Sequence, residues 1–261
     1  MDDRSLEIVF NRRISGEVFL MGLLSAEVVA EARPGQFVMV RVGDGLDPLL
    51  RRPFSICGCR NGELFLILYK VVGRGTTIMS GLKRGGRISV LGPLGKSFGT
   101  PPKGAISFLV GGGLGIAPLF FMAERSGAKD TILIAGARTA QELISAKHLD
   151  MDMEPLIATD DGTSGFKGTA VDLFRMNLMN APGGRKAVFA CGPLPMLKEA
   201  WSLARPENIP CEVSLEASMA CGLGACQGCA VRTAEGQPAP YFLVCRDGPV
   251  FKASTLNWEP L

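Results

Sequence analysis

Cys221, Cys226 and Cys229 stand in the order C-x4-C-x2-C, and Cys245 follows further along the chain. A segment that must bring four thiolates to one place has little freedom in how it folds. This spacing is the one by which plant-type 2Fe–2S centres present their ligands, with a fourth Cys more distant in sequence. Two irons sharing two sulfides need four soft anionic donors on a chain that curls tightly. The interleaved Gly222, Gly224 and Gly228 permit such curling, because glycine reaches positive φ without a Cβ clash and lets backbone N–H groups approach sulfur. Zinc and disulfides are the competing readings. Structural zinc favours paired C-x2-C knuckles without a fixed x4 gap. The four cysteines are therefore read as one 2Fe–2S ligand set.

The rest of the composition narrows the class. At 261 residues the chain makes one large domain or two to three small ones. A net charge of +3 with a pI near 8.4 is too mild to argue for nucleic acid or an anionic membrane as partner. The single histidine, His148, disfavours His-based metal sites and His-centred triads. Cys57, Cys59, Cys191 and Cys211 sit in apolar stretches, where free Cys behaves as a small buried hydrophobe. Met1-Asp2-Asp3-Arg4 lacks the basic and apolar regions of a signal peptide. A reducing, cytoplasmic setting is the expectation, and it favours metal binding over disulfides. Ala105 to Ala123 is uncharged for 19 residues, roughly membrane-spanning length. Its four glycines and Pro118 read instead as strand, tight turn and helix.

Residues 1–99 read as β-rich. Runs at Leu6–Phe10, Val18–Leu24, Gln36–Val42, Phe54–Cys57, Leu64–Val72 and Arg87–Leu91 are separated by turn signals such as Arg33-Pro34-Gly35, Gly43-Asp44-Gly45 and Arg60-Asn61-Gly62. This predicts a small closed barrel, interrupted only by a helix-like Thr76–Leu82. Arg60, in its turn, is read as a surface charge. Residues 100–213 change to strand–helix alternation. Strands are expected at Ala105–Val110, Thr131–Ala137, Glu154–Thr159 and Ala187–Cys191, each followed by a helix, which implies a parallel sheet covered on both faces. Residues 214–261 form the cysteine-bearing unit, with short strands at Val231–Thr233 and Phe242–Val244.

Four further motifs carry chemistry. Gly111-Gly112-Gly113-Leu114-Gly115-Ile116-Ala117-Pro118 follows the first parallel strand and opens a helix, a loop that presents backbone N–H groups to a pyrophosphate. A tight βα turn would use the same glycines. Arg51-Arg52-Pro53-Phe54-Ser55 puts two cations and a proline in a strand, as an anion site or as a solvated edge. Leu68-Tyr69-Lys70, then Gly73-Arg74-Gly75-Thr76-Thr77, ends a strand in a cation and starts a helix, a second anion site or a simple cap. Cys191-Gly192-Pro193 ends the fourth parallel strand and faces the same cleft as the Gly111 loop, where Cys191 touches a nicotinamide or packs. Arg138, ending the second strand, meets a 2′-phosphate, an adenine ring or solvent, so the choice of NAD or NADP stays open.

In this order the motifs resemble the ferredoxin–NADP reductase superfamily over essentially the whole chain. The lead-in Ser214-Leu215-Glu216-Ala217-Ser218-Met219-Ala220-Cys221, with its all-cysteine cluster, is similar to the electron-transfer subunits of type B dihydroorotate dehydrogenases. That resemblance implies an FAD-binding β-barrel over 1–99, an NAD-binding α/β domain over 100–213 and a 2Fe–2S domain over 214–261. It implies that Arg52 and Ser55 hold the FAD phosphates and flavin edge. Pro53, Phe54, Leu68, Tyr69, Lys70, Gly75 and Thr76 complete the FAD contacts, whereas loss of the Arg60 surface charge should matter little for FAD retention. Gly111, Gly112, Gly113, Gly115, Cys191, Gly192 and Pro193 serve NAD, and Cys221, Cys226, Cys229 and Cys245 bind the metal. Phe54 departs from the tyrosine frequent in the superfamily, keeping an aromatic face without a hydroxyl.

The resemblance further implies a heterotetramer with an FMN-containing catalytic subunit that oxidises dihydroorotate to orotate in pyrimidine biosynthesis. Electrons then run through the cluster and FAD to NAD⁺. A flavin fits between a two-electron nicotinamide and a one-electron cluster because it handles both. The nearest rival is a subunit of a ferredoxin-dependent NADP oxidoreductase or sulfide dehydrogenase, relatives that tend to place an aspartate among the cluster ligands. A redox-sensing flavoprotein without turnover and a zinc-stapled flavin reductase are the others. The sensor needs no nucleotide cleft, and the reductase would show flavin absorption alone.

Overall fold

The computed structural model describes residues 3–43, 45–127 and 130–259. Met1 and Asp2 of the chain start, and Asp44 of the Gly43–Gly45 turn, lie outside the described residues. Strands β1 (Asp3–Ser15), β2 (Val18–Leu24), β3 (Phe37–Arg41), β4 (Arg52–Arg60), β5 (Leu64–Lys70) and β6 (Arg87–Leu94) close into a barrel in the order β1-β2-β5-β4-β3-β6. Its interior is filled by one face of each strand, among them Ile8, Met21, Val38, Ile56, Ile67 and Val90, all at most 1 % exposed. Two helices interrupt the strands. The expected one is α2 (Arg74–Gly81); the other, α1 (Ala26–Glu31), is a correction to the single interruption expected. It is one short stretch, started by the Ser25 hydroxyl accepting from Val28 N at 3.2 Å, and too brief to show a periodic pattern.

Strands β7 (Ile106–Gly112), β8 (Thr131–Ala137), β9 (Leu156–Thr159), β10 (Phe166–Lys167), β11 (Lys186–Cys191) and β12 (Cys211–Ser214) form a parallel sheet. A hairpin of β13 (Ala230–Arg232) and β14 (Tyr241–Leu243) follows, and β15 (Val250–Lys252) returns to pair antiparallel with β12. The sheet order is β10-β9-β8-β7-β11-β12-β15, so the strand order reverses between β7 and β11. Helix α3 (Ile116–Ser126) covers one face, where Leu109 and Leu133 point; α4 (Ala170–Asn180) and α5 (Leu194–Ala204) cover the other, where Phe108 and Val110 point. No full helix joins β8 to β9, contrary to expectation. Two 3₁₀ turns, Ala140–Glu142 and Ala146–Leu149, take its place, because Leu143 turns extended (ψ 143°) and Ser145 starts afresh.

Helix α3 explains the membrane-like stretch. Ile116 through Ala123 are all buried, because α3 lies between the sheet and the outer face of β2, β4 and β5. A helix enclosed on all sides needs no polar stripe. No described helix is long and apolar enough to cross a membrane. The same burial makes β5 apolar on both faces: Phe65, Ile67 and Tyr69 face the barrel interior, Leu66 and Leu68 face α3.

Arg60 is more than a surface charge of its turn, whatever its bearing on FAD retention. From the end of β4 it donates to Glu124 Oε1 of α3 at 2.6 Å and to the Leu149 carbonyl, with a side chain 19 % exposed. It bridges the barrel to the α/β layer because the turn abuts α3 in three dimensions. Replacing Arg60 with alanine is expected to cost about 1–3 kcal/mol, the range for a charge-assisted hydrogen bond lost from a half-buried site. A fall in the urea midpoint checks it; an unchanged midpoint removes Arg60 as a clamp.

Candidate functional site

The reversal between β7 and β11 places the Gly111 loop and the Cys191-Gly192-Pro193 turn side by side, at the position where open α/β sheets take ligands. Their contact is close. A Cβ on Gly115 would stand 2.2 Å from the Cys191 carbonyl oxygen, so no larger residue fits there. Gly111 and Gly112 are hemmed in by Ile116, Met196 and Pro193, whereas Gly113, at φ +55°, has nothing within 4 Å. The loop thus combines both readings of its glycines: a tight βα turn at its base and open backbone at its tip.

In front of this turn lies a cavity of about 370 Å³. Arg52, Pro53, Phe54 and Ser55 of β4 line it, with Leu68, Tyr69 and Lys70 of β5 and Thr76 of α2. Gly115 and Cys191 close its far side. Gly111, Gly112, Gly113, Gly192 and Pro193 stand behind or beside the wall. Among the residues not assigned to the site from sequence, Phe37, Leu114, Ser214, Leu215, Glu216 and Met219 also line it. The signal for four of these lies in the Ser214–Cys221 lead-in, which in sequence serves only as a family mark. Its position in the wall follows from the register of β12, where Ser214 pairs with Cys191.

The two arginines have different tasks. Arg51 is bound within the barrel, donating to the Met39 carbonyl at 3.3 Å, to Ser89 Oγ at 3.0 Å and to the Asp3 carboxylate. Arg52 donates to the Leu50 carbonyl and lies over Gly75, where a Cβ would come within 2.5 Å of its Nε. Gly75 is thus required so that a guanidinium can rest against the start of α2. Gly73 is the N-cap of α2, and Thr76 in the first turn reaches back to it: its hydroxyl accepts from Val72 N at 2.9 Å and Gly73 N at 3.2 Å. A cation and a helix N-terminus together make a site for phosphate. Tyr69 borders the cavity, but its ring is turned into the barrel interior, stacked 5.5 Å from Phe19. Its hydroxyl donates to Asn11 Oδ1 at 2.9 Å, and burial pushes its pKa up to about 12. Cys191 is likewise a neutral thiol, pushed up to about 12 by burial.

The cysteine segment curls as its glycines suggest. Gly222 and Gly224 sit at φ +73° and +81°, Gln227 at +59°. Leu223 N and Cys226 N point at Cys221 Sγ, each at 3.4 Å, and Gly224 N points at Cys245 Sγ at 3.1 Å. The two N–H groups, that of Cys226 first, hold the Cys221 thiol down at about 6. Cys229 and Cys245 are buried with sulfurs 3.3 Å apart, and Cys245 is pushed up to about 12 by burial and by its neighbour. Among the described residues no three His, Cys, Asp or Glu side chains close around one ion. Four thiols with N–H groups aimed at sulfur fit a two-iron centre, in which each iron takes only two of them.

A scan against family models matches residues 216–257 to the iron–sulfur cluster binding domain of dihydroorotate dehydrogenase B. A relative from Desulforamulus reducens, named dihydroorotate dehydrogenase B (NAD(+)), electron transfer subunit, is 37% identical over 252 residues, 94% of this chain and 95% of the relative. The chain belongs to this family of electron-transfer subunits. A member from Bacillus caldolyticus with the same name is 37% identical over 262 residues, covering 97% and 98% of the two chains. Among solved structures, a chain of the NADH-dependent reduced ferredoxin-NADP oxidoreductase is 32% identical with a TM-score of 0.83, covering 98% of this chain and 91% of that one. Phthalate dioxygenase reductase shares the fold, with a TM-score of 0.62 at 19% identity.

Within the family site, Gly222 and Gly228 make separable demands. A Cβ on Gly222 would lie 2.6 Å from Met39 Cγ of β3 at a positive φ, whereas one on Gly228 meets only Cys226 Sγ at 3.8 Å. Gly222→Ala is therefore expected to lower iron and acid-labile sulfide content severalfold, and Gly228→Ala to retain both. Equal iron content in the two variants would show that the loop does not depend on seating against the barrel.

Proposed function

We propose that the chain passes electrons from the FMN of a catalytic partner, which oxidises dihydroorotate to orotate, through a 2Fe–2S cluster and FAD to NAD⁺. The observation that carries this reading is the shared cavity. Barrel residues Arg52 to Ser55, sheet-end residues Gly115 and Cys191, and Ser214 to Ala217 with Met219 of the cluster lead-in all face the same space. The matched family model and the relatives' names support the partner's identity. Bound FAD supplies the exchange between two-electron and one-electron transfer.

The chain's own residues bind and orient. Arg52, resting on Gly75 at the start of α2, presents positive charge to a pyrophosphate. Phe54 supplies an apolar face with the Tyr69 ring packed 5.8 Å from it, and Ser55 and Lys70 supply polar groups at the same wall. The open tip at Gly113 takes the nucleotide's phosphates, and neutral Cys191 packs beside its nicotinamide. Cys221, Cys226, Cys229 and Cys245 hold the cluster, with the N–H groups of Leu223, Gly224 and Cys226 offsetting sulfur charge. We divide the chain into units of 1–99, 100–213 and 214–261, the last of which returns β15 to the sheet of the second. The proposed assembly is a cytoplasmic heterotetramer of two chains of each kind.

A ferredoxin-dependent NADP oxidoreductase is the second reading, favoured by the 32% identity to that solved chain. The match of residues 216–257 to a family-specific cluster domain weighs against it. The test uses the purified holoprotein. NADH is expected to reduce an artificial acceptor such as ferricyanide, and dihydroorotate to leave the flavin spectrum unchanged. Adding the catalytic subunit is expected to couple dihydroorotate oxidation to NAD⁺ reduction. Bleaching of flavin by dihydroorotate in the chain alone would place the substrate site here and refute the division of labour.

A further inference from the structure

At the carboxyl end of β8, next to the glycine loop of β7, Arg138 is held by a fork of two hydrogen bonds. Its Nη2 donates to Glu142 Oε1 at 2.6 Å and its Nε to Glu142 Oε2 at 3.1 Å. The end of the second strand, some 20 residues past the glycine loop, is where a doubly wound fold meets the adenosine ribose. An acidic residue there serves a free 2′-hydroxyl, and an arginine serves a 2′-phosphate. Here both residue types are present, and they are bound to each other.

The surroundings add to the bias. Lys70 Nζ reaches the same carboxylate at 4.0 Å, so Glu142 stands between two cations. The turn after β9 is stitched to β8, with Asp160 N donating to the Ala137 carbonyl at 3.1 Å and Asp161 N to the Arg138 carbonyl at 3.2 Å. Thr163 Oγ1 accepts from Ala140 N at 2.8 Å and donates to Asp161 Oδ1 at 2.7 Å. The backbone of Asp160 and Asp161 is therefore fixed beside Arg138. Glu142 is held below its usual range first by its hydrogen bond with Arg138, and stays ionised at neutral pH. A 2′-phosphate entering this corner meets a guanidinium already engaged by a carboxylate.

We propose that Glu142, by holding Arg138, makes the adenosine end of the nucleotide site accept a ribose with a free 2′-hydroxyl and reject a 2′-phosphate. The inference rests on the nucleotide site proposed above and names the residues that set its choice between NAD and NADP. Both side chains reach solvent, with Arg138 75% and Glu142 32% exposed, so the pair is accessible to a ligand and tolerant of substitution.

Two fragments that differ only in the 2′-phosphate, 5′-AMP and 2′,5′-ADP, test it by titration calorimetry on the holoprotein. The native protein is expected to bind 5′-AMP more tightly than 2′,5′-ADP. Glu142→Gln keeps the shape and removes the charge; it is expected to tighten 2′,5′-ADP about tenfold and to change 5′-AMP less than about twofold, as a freed guanidinium gains a phosphate partner. Adding Arg138→Ala to that variant should abolish the gain. Unchanged 2′,5′-ADP affinity in Glu142→Gln, or an equal rise for both fragments, would overturn the assignment of Glu142. Absence of binding by either fragment to the native protein would overturn the nucleotide site itself, and this inference with it.

Discussion

The burial of α3 between the barrel and the parallel sheet is the contact on which the cleft depends. Ile116, Leu119, Phe120, Phe121 and Met122 are each at most 2% exposed. At roughly 2 kcal/mol for each large apolar side chain removed from water, they contribute on the order of 10 kcal/mol before conformational entropy is set against it. That helix begins directly after Gly115, so the packing that joins the two layers also fixes the glycine loop. Phe121 reaches the barrel's interior cluster, while Leu119 and Phe120 join the cluster under the sheet. The Arg60–Glu124 bond pins the far end of the same helix. Cleft geometry is thus a consequence of core packing, and the polar groups in the cleft inherit positions they do not themselves stabilise.

The cluster segment is tied to this frame at two places. Pro249 lines the cavity, Leu215 N donates to its carbonyl at 2.9 Å, and β15 adds a strand beside β12. On the other side the Gly222 backbone presses on Met39 and Leu94 of the barrel. The cysteine loop is held against the barrel by contacts that a methyl group would disrupt. Cys221 and Cys226 lie toward solvent, whereas Cys229 and Cys245 are buried, so the ligand set runs from the surface inward. This arrangement suits a centre that exchanges electrons with a second protein on one side and with a flavin on the other.

Much of this was legible in the residues. Strands with a clear period, such as Val18–Leu24 and Thr131–Ala137, matched the structure to the residue, because burial of one or both faces leaves a strong pattern. The cysteine spacing and the glycines between them foretold a curled loop. What sequence could not convey depended on distant packing. Strand β12 is four residues long and is specified by pairing with β11, not by its own pattern. Arg60 reads as a turn residue until α3 is set against it, and Arg51 reads as an anion ligand until Asp3 and Ser89 are brought to it. Helix α1 and the broken 3₁₀ connection after β8 were decided by single capping serines, Ser25 and Ser145. The wall formed by Ser214 to Ala217 and Met219 needed the sheet order before it became part of the cleft.

The central claim is that the cluster lies on the route between the partner and the flavin, while nicotinamide reaches the flavin without it. Cys226 is the exposed ligand, and its replacement by serine removes one thiolate without disturbing the core. Stopped-flow absorbance on the complex of this Cys226→Ser variant with the catalytic subunit gives both rates in one preparation. The account predicts that NADH bleaches the flavin at the native rate while dihydroorotate-driven NAD⁺ reduction stops. Dihydroorotate-driven NAD⁺ reduction at the native rate in a cluster-free complex would contradict it.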